Sequence, residues 1–180
     1  MKLTLETKRL LLRPFREEDA EAVFYGWSSD PEVTRYLTWN THENIETTKY
    51  VLGEWLKEYE QPERLNFAIE LKSTGQLIGG IDVVGYHNGV PVIGYNLAKK
   101  YWNCGYMTEA CRCVLDYLFA AGYKAVEIDA MTDNIGSNRV IQKCGGVLFK
   151  TKTTTRPLKQ DTVTVNKYLI TPKAKANEKS

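Results

Sequence analysis

The sequence predicts an α+β domain: a mixed, mostly antiparallel sheet with helices on its faces. Three observations point there. The middle of the chain reads as a meander, with apolar runs at 65–71, 76–84 and 90–97. Lys72-Ser73-Thr74-Gly75 and Tyr86-His87-Asn88-Gly89 separate the runs, and both are tight-turn sequences. A long amphipathic stretch at 106–121 stands between the strand at 90–97 and another at 125–132. A strand–helix–strand unit makes its strands parallel neighbours through a right-handed crossover. The chain then closes on two alternating runs, 147–155 and 161–170, that read as a hairpin.

The remaining elements follow in order. Leu10, Leu11 and Leu12 mark a first strand over 5–13, which Pro14 ends. Ala20, Val23, Phe24 and Trp27 recur at helical spacing over 17–25, with Glu17, Glu18 and Asp19 in the first turn where acids favour the helix dipole. Asp30-Pro31 marks a turn or a new helix start. Ile45, Thr48, Leu52, Trp55, Leu56 and Tyr59 make one stripe of an amphipathic helix over 43–60. A polar and aromatic loop, 99–105, precedes the helix at 106–121, which Gly122 closes. A short helix at 134–143 stops at Gly145-Gly146.

Composition bounds the function. At 180 residues the chain suits one domain, expected over 1–170, with a polar tail at 171–180 too poor in large apolar groups to order itself. Lys and Arg total 24 against 22 Asp and Glu, a net charge of +2 that favours neither nucleic acid nor an anionic membrane as partner. No apolar run approaches the roughly 18 residues of a spanning helix, and the first residues lack the apolar core of a signal peptide. A cytoplasmic setting is expected. Cys104, Cys111, Cys113 and Cys144 have neither a metal-site spacing nor an oxidising context, and His42 and His87 stand apart, so no metal is expected.

The loop before the helix at 106–121 has the makings of an anion cradle. A helix start offers unpaired N–H groups and a partial positive charge, both suited to phosphate oxygens. Gly105 lets a ligand approach the backbone, Thr108 adds a hydroxyl, and Lys99 and Lys100 bring charge to the rim. The glycine patterns of a Walker loop or a dinucleotide fingerprint are absent.

Position by position, the segments carry more. Ile93-Gly94-Tyr95-Asn96-Leu97 with Tyr101-Trp102-Asn103-Cys104-Gly105-Tyr106-Met107-Thr108-Glu109-Ala110 resembles the acyl-CoA motif of the GNAT superfamily of N-acetyltransferases. Residues 133–146 resemble the second motif of the branch holding the ribosomal-protein N-terminal (RimJ/RimL-like) acetyltransferases, and so does the opening Glu6-Thr7-Lys8-Arg9-Leu10-Leu11-Leu12-Arg13-Pro14. The resemblance spans about residues 3 to 170.

It implies the acyl-CoA N-acyltransferase fold, with a central parallel strand pair that splays open for acetyl-CoA. Backbone groups of Leu97, Ala98 and Lys99 would pair with the pantetheine arm, and the N–H groups of Asn103, Cys104, Gly105, Tyr106, Met107 and Thr108 would hold the diphosphate. Asn134 would bond the pantetheine. Ser137 would protonate the leaving thiolate, and the N–H near Leu97 would polarise the thioester. The acceptor would be a primary amine on a small molecule or peptide, and the protein a monomer or homodimer.

Three positions depart from the family pattern. Asn103 stands for a glycine, Cys104 for a basic residue, and Val92 for an acid just before Ile93-Gly94-Tyr95. Ile141 replaces a tyrosine used as the acid elsewhere in the superfamily. Val92 and Asn103 keep open a non-catalytic acyl-CoA-binding module as the alternative. Glu127 and Asp129, which share one strand face, lead the candidates for a base acting through water, with Glu70, Asp82, His87 and Tyr95 behind them. Tyr25, Trp27, Tyr36, Trp39, Tyr86 and Trp102 are candidate pocket aromatics.

Overall fold

The computed structural model describes residues 3–61 and 64–172; residues 173–180 of the expected tail lie outside the described residues. In chain order the elements are β1 (Leu5–Glu6), β2 (Leu10–Arg13), α1 (Ala20–Val23), α2 (Pro31–Thr34), α3 (Ile45–Glu58), β3 (Asn66–Leu71), β4 (Leu77–His87), β5 (Val90–Leu97), α4 (Tyr106–Ala120), β6 (Val126–Met131), α5 (Ile135–Lys143), β7 (Val147–Arg156) and β8 (Asp161–Ile170). The strands form one sheet in the order β1-β2-β3-β4-β5-β6-β8-β7. Every neighbouring pair is antiparallel except β5 with β6.

Each face of the sheet carries its own apolar layer. On one, Leu10, Ile69, Ile81, Ile93, Val126 and Ile128 meet Met107, Ala110, Val114 and Leu118 of α4 and Ile141 of α5. On the other, Ala68, Leu77 and Ala98 lie under Phe15, Ala20, Val23, Trp27, Val33 and Leu52, from the segment around α1, α2 and α3. Removal of these side chains from water is the main drive toward the layered arrangement.

The parallel pair is short. Val92 faces Glu127 and Ile93 faces Ile128; past these rungs β5 runs on to Leu97 and β6 to Met131 without pairing to each other. A bulge at Val84 lies beside the last rung, since the β4–β5 register shifts between Val83 and Gly85. A bulge bends its strand and strengthens the local twist. Gly94 makes room for it: a Cβ there would fall 2.7 Å from Val84 Cγ1.

Several expected elements change form. The strand expected over 5–13 is two strands, β1 and β2, joined by a tight turn. Thr7 makes that turn by donating its N–H to the Leu10 carbonyl (3.0 Å) and accepting the Leu10 N–H on its hydroxyl (2.9 Å). The helix expected over 17–25 opens as a 3-10 turn at Glu17–Asp19 and widens into a π turn over Phe24–Ser28. The Ser29 hydroxyl holds the widened turn by donating to the Phe24 carbonyl (2.7 Å), and Trp27 and Ser28 both end fully buried. β4 runs through His87, past its expected end at 84, because Asn88 and Gly89 both take positive φ (51° and 80°), as a two-residue hairpin turn requires.

Candidate functional site

A cleft of about 480 Å³ opens where β5 and β6 part. Tyr95, Asn96 and Leu97 form one wall and residues 133–137 the other; the entry turn of α4 closes one end, and Val33, Tyr36 and Leu37 lie over it. The β4 ladder fixes which backbone groups face the opening. Ala98 donates its N–H to the Ile78 carbonyl (2.8 Å), so Ile78 and Ala98 form a hydrogen-bonded rung. By antiparallel alternation the next rung, Gly79 with Leu97, turns its N–H and C=O groups outward, and Ile81 with Tyr95 does the same. The N–H groups of Leu97 and Tyr95 therefore point away from β4, toward the opening.

The Leu97 carbonyl accepts the Trp102 indole N–H (2.7 Å), so Trp102 folds back as part of the wall. Ala98 differs from its neighbour, because its carbonyl also accepts the Tyr101 N–H (2.9 Å). Both of its backbone groups are thus engaged within the chain. Lys99 is ion-paired to Glu32, which offsets its share of the charge expected at the rim, while Lys100 Nζ lies 4.9 Å from the Tyr101 ring centroid.

Helix α4 begins without a side-chain cap. Gly105 is its N-cap, at φ 78°, and the first intrahelical bond runs from the Glu109 N–H to the Gly105 carbonyl (3.1 Å). The N–H groups of Gly105, Tyr106, Met107 and Thr108 thus lie ahead of the helical ladder. Asn103 takes φ 60°, the left-handed conformation that Asn tolerates better than most residues. Asparagine is thus compatible with the turn. Cys104 is exposed, and its carbonyl accepts from Arg9 Nη1 (3.1 Å).

Ser137 sits in the first turn of α5. Its N–H is capped by Asn134 Oδ1 (3.1 Å), which leaves the Asn134 amide N–H groups as donors. Its hydroxyl lies 2.8 Å from the Tyr95 hydroxyl, a contact that spans the cleft from β5 to α5. Burial pushes the Tyr95 phenol well above its usual range, so it stays protonated and does not suit a base. Buried Asn138 anchors the start of α5: its Nδ2 donates to the carbonyls of Met131 (2.9 Å) and Asn134 (2.8 Å), and its Oδ1 accepts from Tyr168 (2.7 Å) and Asn166 (3.0 Å).

The carboxylates are sorted by their partners. Glu70 is ion-paired to Arg13 (2.7 Å). Glu127 and Asp129 both meet buried Lys167, and Glu127 also meets His87 (2.8 Å). Burial opposes charge on Glu127, yet its bonds to Lys167 and His87 outweigh burial and hold it below the ordinary range. Asp129 is shifted the other way by burial, and its Oδ1 is buried without a hydrogen-bond partner. Burial raises Asp82 from 3.8 to about 6 against the pull of Arg64 (3.3 Å).

Of the six aromatics expected around the pocket, Tyr36 and Trp102 line the cleft. Trp27 is buried in the layer under α1, Trp39 packs against that layer, and Tyr25 and Tyr86 are exposed. Sequence periodicity cannot separate such roles, because every large aromatic on an amphipathic segment carries the same signal. The Tyr95–Ser137 contact and the Arg9–Cys104 bond were not read from the sequence, since each joins elements distant along the chain.

A family profile for the acetyltransferase (GNAT) domain matches residues 9–147. The uncharacterized N-acetyltransferase YoaA of Bacillus subtilis is 34% identical over 144 residues, covering 78% of this chain and 81% of that protein. Among solved structures, a GNAT-family acetyltransferase from Bacillus anthracis superposes with a TM-score of 0.81 at 25% identity, over 94% of this chain and 98% of that one. The microcin C7 self-immunity acetyltransferase MccE, solved with acetyl-CoA and AMP, shares the fold with a TM-score of 0.80 at 18% identity, over 92% of this chain and 94% of its own.

Proposed function

The chain belongs to the GNAT acetyltransferase family, and from that premise we propose that it transfers the acetyl group of acetyl-CoA to a primary amine by direct attack on the thioester. The observation that carries this reading is the uncapped start of α4 beside a splayed strand pair. Four helix-terminal N–H groups with a partial positive charge are suited to a diphosphate, and the outward N–H groups of Tyr95 and Leu97 are suited to an amide-bearing arm laid along β5.

The roles follow from which face each group occupies. Tyr95 and Ser137 lie on the α4–α5 side of β5, and Asp129 on the opposite side of β6 from Ile128. The amine approaches from the Asp129 side and gives up a proton through water to that carboxylate. Its nitrogen bonds to the carbonyl carbon, while the Leu97 N–H stabilises the developing oxyanion, a contribution typically worth ~3 kcal/mol. The carbon–sulfur bond then breaks, and the thiolate takes the Ser137 hydroxyl proton while the Tyr95 hydroxyl stays hydrogen-bonded to the Ser137 oxygen; solvent returns a proton to Ser137 once CoA has left. Of the two carboxylates expected, Asp129 is the better base, because Lys167 holds both but His87 holds Glu127 as well, while Asp129 keeps Oδ1 without a hydrogen-bond partner.

The acceptor is a small-molecule amine or a peptide N-terminus, met in the cytoplasm by a monomer or a homodimer. The test is release of free thiol from acetyl-CoA against a panel of polyamines, amino sugars, amino-acid analogues and N-terminal peptides, with product mass measured. An acetylated amine, 42 mass units heavier, is the expected outcome, at roughly the turnover of ordinary enzymes. Tight CoA binding with no product anywhere in the panel overturns the catalytic reading.

A further inference from the structure

We propose that Arg9, in the turn between β1 and β2, is a positioning residue that fixes the direction of the Gly105 amide at the entry of α4. This role presupposes that the entry turn takes the diphosphate, as proposed above. Gly105 and Thr108 stand between two concavities: the acyl-CoA cleft on one side and, on the other, a groove of about 540 Å³ that contains Arg9. From that outer groove Arg9 Nη1 draws the Cys104 carbonyl toward itself (3.1 Å).

A trans peptide holds its C=O and N–H on opposite sides. With the Cys104 oxygen pulled outward, the N–H of the same peptide, that of Gly105, faces the cleft. This peptide is prone to flip, because glycine takes either sign of φ at little cost. Flipped, it would withdraw one donor and offer an anion a carbonyl oxygen instead. Arg9 opposes that flip.

The guanidinium is itself held by two further groups. Its Nε donates to Glu109 Oε2 (2.6 Å), and its Cζ lies 4.3 Å from the Tyr106 ring centroid. Glu109 is fixed in turn, since its Oε1 accepts the Arg9 backbone N–H (2.9 Å) and the Thr7 hydroxyl (2.6 Å). Glu109 belongs to the first turn of α4, so the β1–β2 turn is bound to the helix whose entry it shapes. A lysine at position 9 would keep the charge but could not serve the Glu109 carboxylate and the Cys104 carbonyl from one rigid fork.

Titration of CoA and of pantetheine, which lacks the diphosphate, tests this, by calorimetry and NMR respectively. Arg9→Met keeps an apolar stem against Tyr106 and removes the donors. It is expected to weaken CoA binding about tenfold and leave pantetheine binding unchanged. Arg9→Lys is expected to weaken CoA by at least about threefold. Equal losses for both ligands would reduce Arg9 to a support of the fold and overturn the proposal, as would full retention of CoA affinity in either variant. Wild-type protein binding CoA no more tightly than pantetheine would overturn the diphosphate reading itself, and with it the role of Arg9.

Discussion

Ser137 and Tyr95 are separate in the sequence and share one hydrogen bond in the fold, so substitutions at either end of that bond test the pair. Coenzyme A is a fair leaving group, and proton donation to it adds to a rate that positioning already supports. Ser137→Ala is expected to lower kcat roughly tenfold without abolishing it, and Tyr95→Phe to lower it by less, with KM for acetyl-CoA nearly constant in both. Steady-state kinetics on any amine accepted in the panel measures this, and a large rise in KM instead would assign the pair to binding. Asp82 gives a second test. Burial lifts its carboxyl from 3.8 to about 6, so the folded chain holds this proton more tightly than the unfolded one. The stabilisation this provides is complete below 3.8 and is lost as the pH rises through about 6. Asp82→Asn removes that slope, and Arg64 keeps Glu58 (2.5 Å) and the Val83 carbonyl (2.6 Å) as partners. Relative to wild type, the variant is expected to gain stability steadily between about pH 4 and pH 7 in urea titrations. A pH-independent difference would mean that Asp82 ionises normally.

At the scale of elements, the site depends on how closely β4 and β5 approach. A Cβ on Gly79 would lie 2.4 Å from the Asn96 carbonyl oxygen and 3.1 Å from the Leu97 Cα, both backbone atoms that cannot swing aside. Gly79→Ala must therefore shift the end of β5, which carries Leu97. A loss on the order of 3 kcal/mol in urea unfolding is expected, with weaker CoA binding in the fraction that folds. An alanine variant with unchanged stability and affinity would show that this approach is not needed. The same contrast between local and distant signals explains what could be read in advance. The meander, the crossover unit and the closing hairpin were legible because each rests on local periodicity and turn residues. The α4 entry turn was legible because helix starts and glycines carry their physics locally. The split of the first strand was hidden, since Thr7 acts there through a side-chain bond and not through hydropathy. The preference for Asp129 over Glu127 was hidden too, because both share a strand face and both meet Lys167, so that His87, from another strand, is what tells them apart.

For the whole molecule, the cleft lies where the pairing of β5 with β6 stops. Two rungs join β5 to β6, the Tyr95–Ser137 contact bridges the gap beyond them, and Asn138 ties α5 to β8. Over the mouth, Glu32 pairs with Lys99 and Arg35 with Asp133 (3.4 Å), linking the α2 region to both walls. Such exposed pairs contribute little to stability. A ligand that bonds β5, the α4 entry and the start of α5 together would supply the cross-links the sheet lacks there, and the unfolded chain offers it no equivalent site. CoA at about 100 times its Kd should therefore stabilise the fold by about 2.7 kcal/mol. For a domain of this size, that corresponds to a rise in Tm of roughly 5–10 °C. ATP and NAD at the same concentration lack the pantetheine arm that would lie along β5, and they should leave Tm nearly unchanged. A thermal melt with each ligand decides between them. Protection by ATP or NAD with none from CoA would make the α4 entry a nucleotide site and would detach it from the splayed strands, on which the proposed acetyl transfer depends.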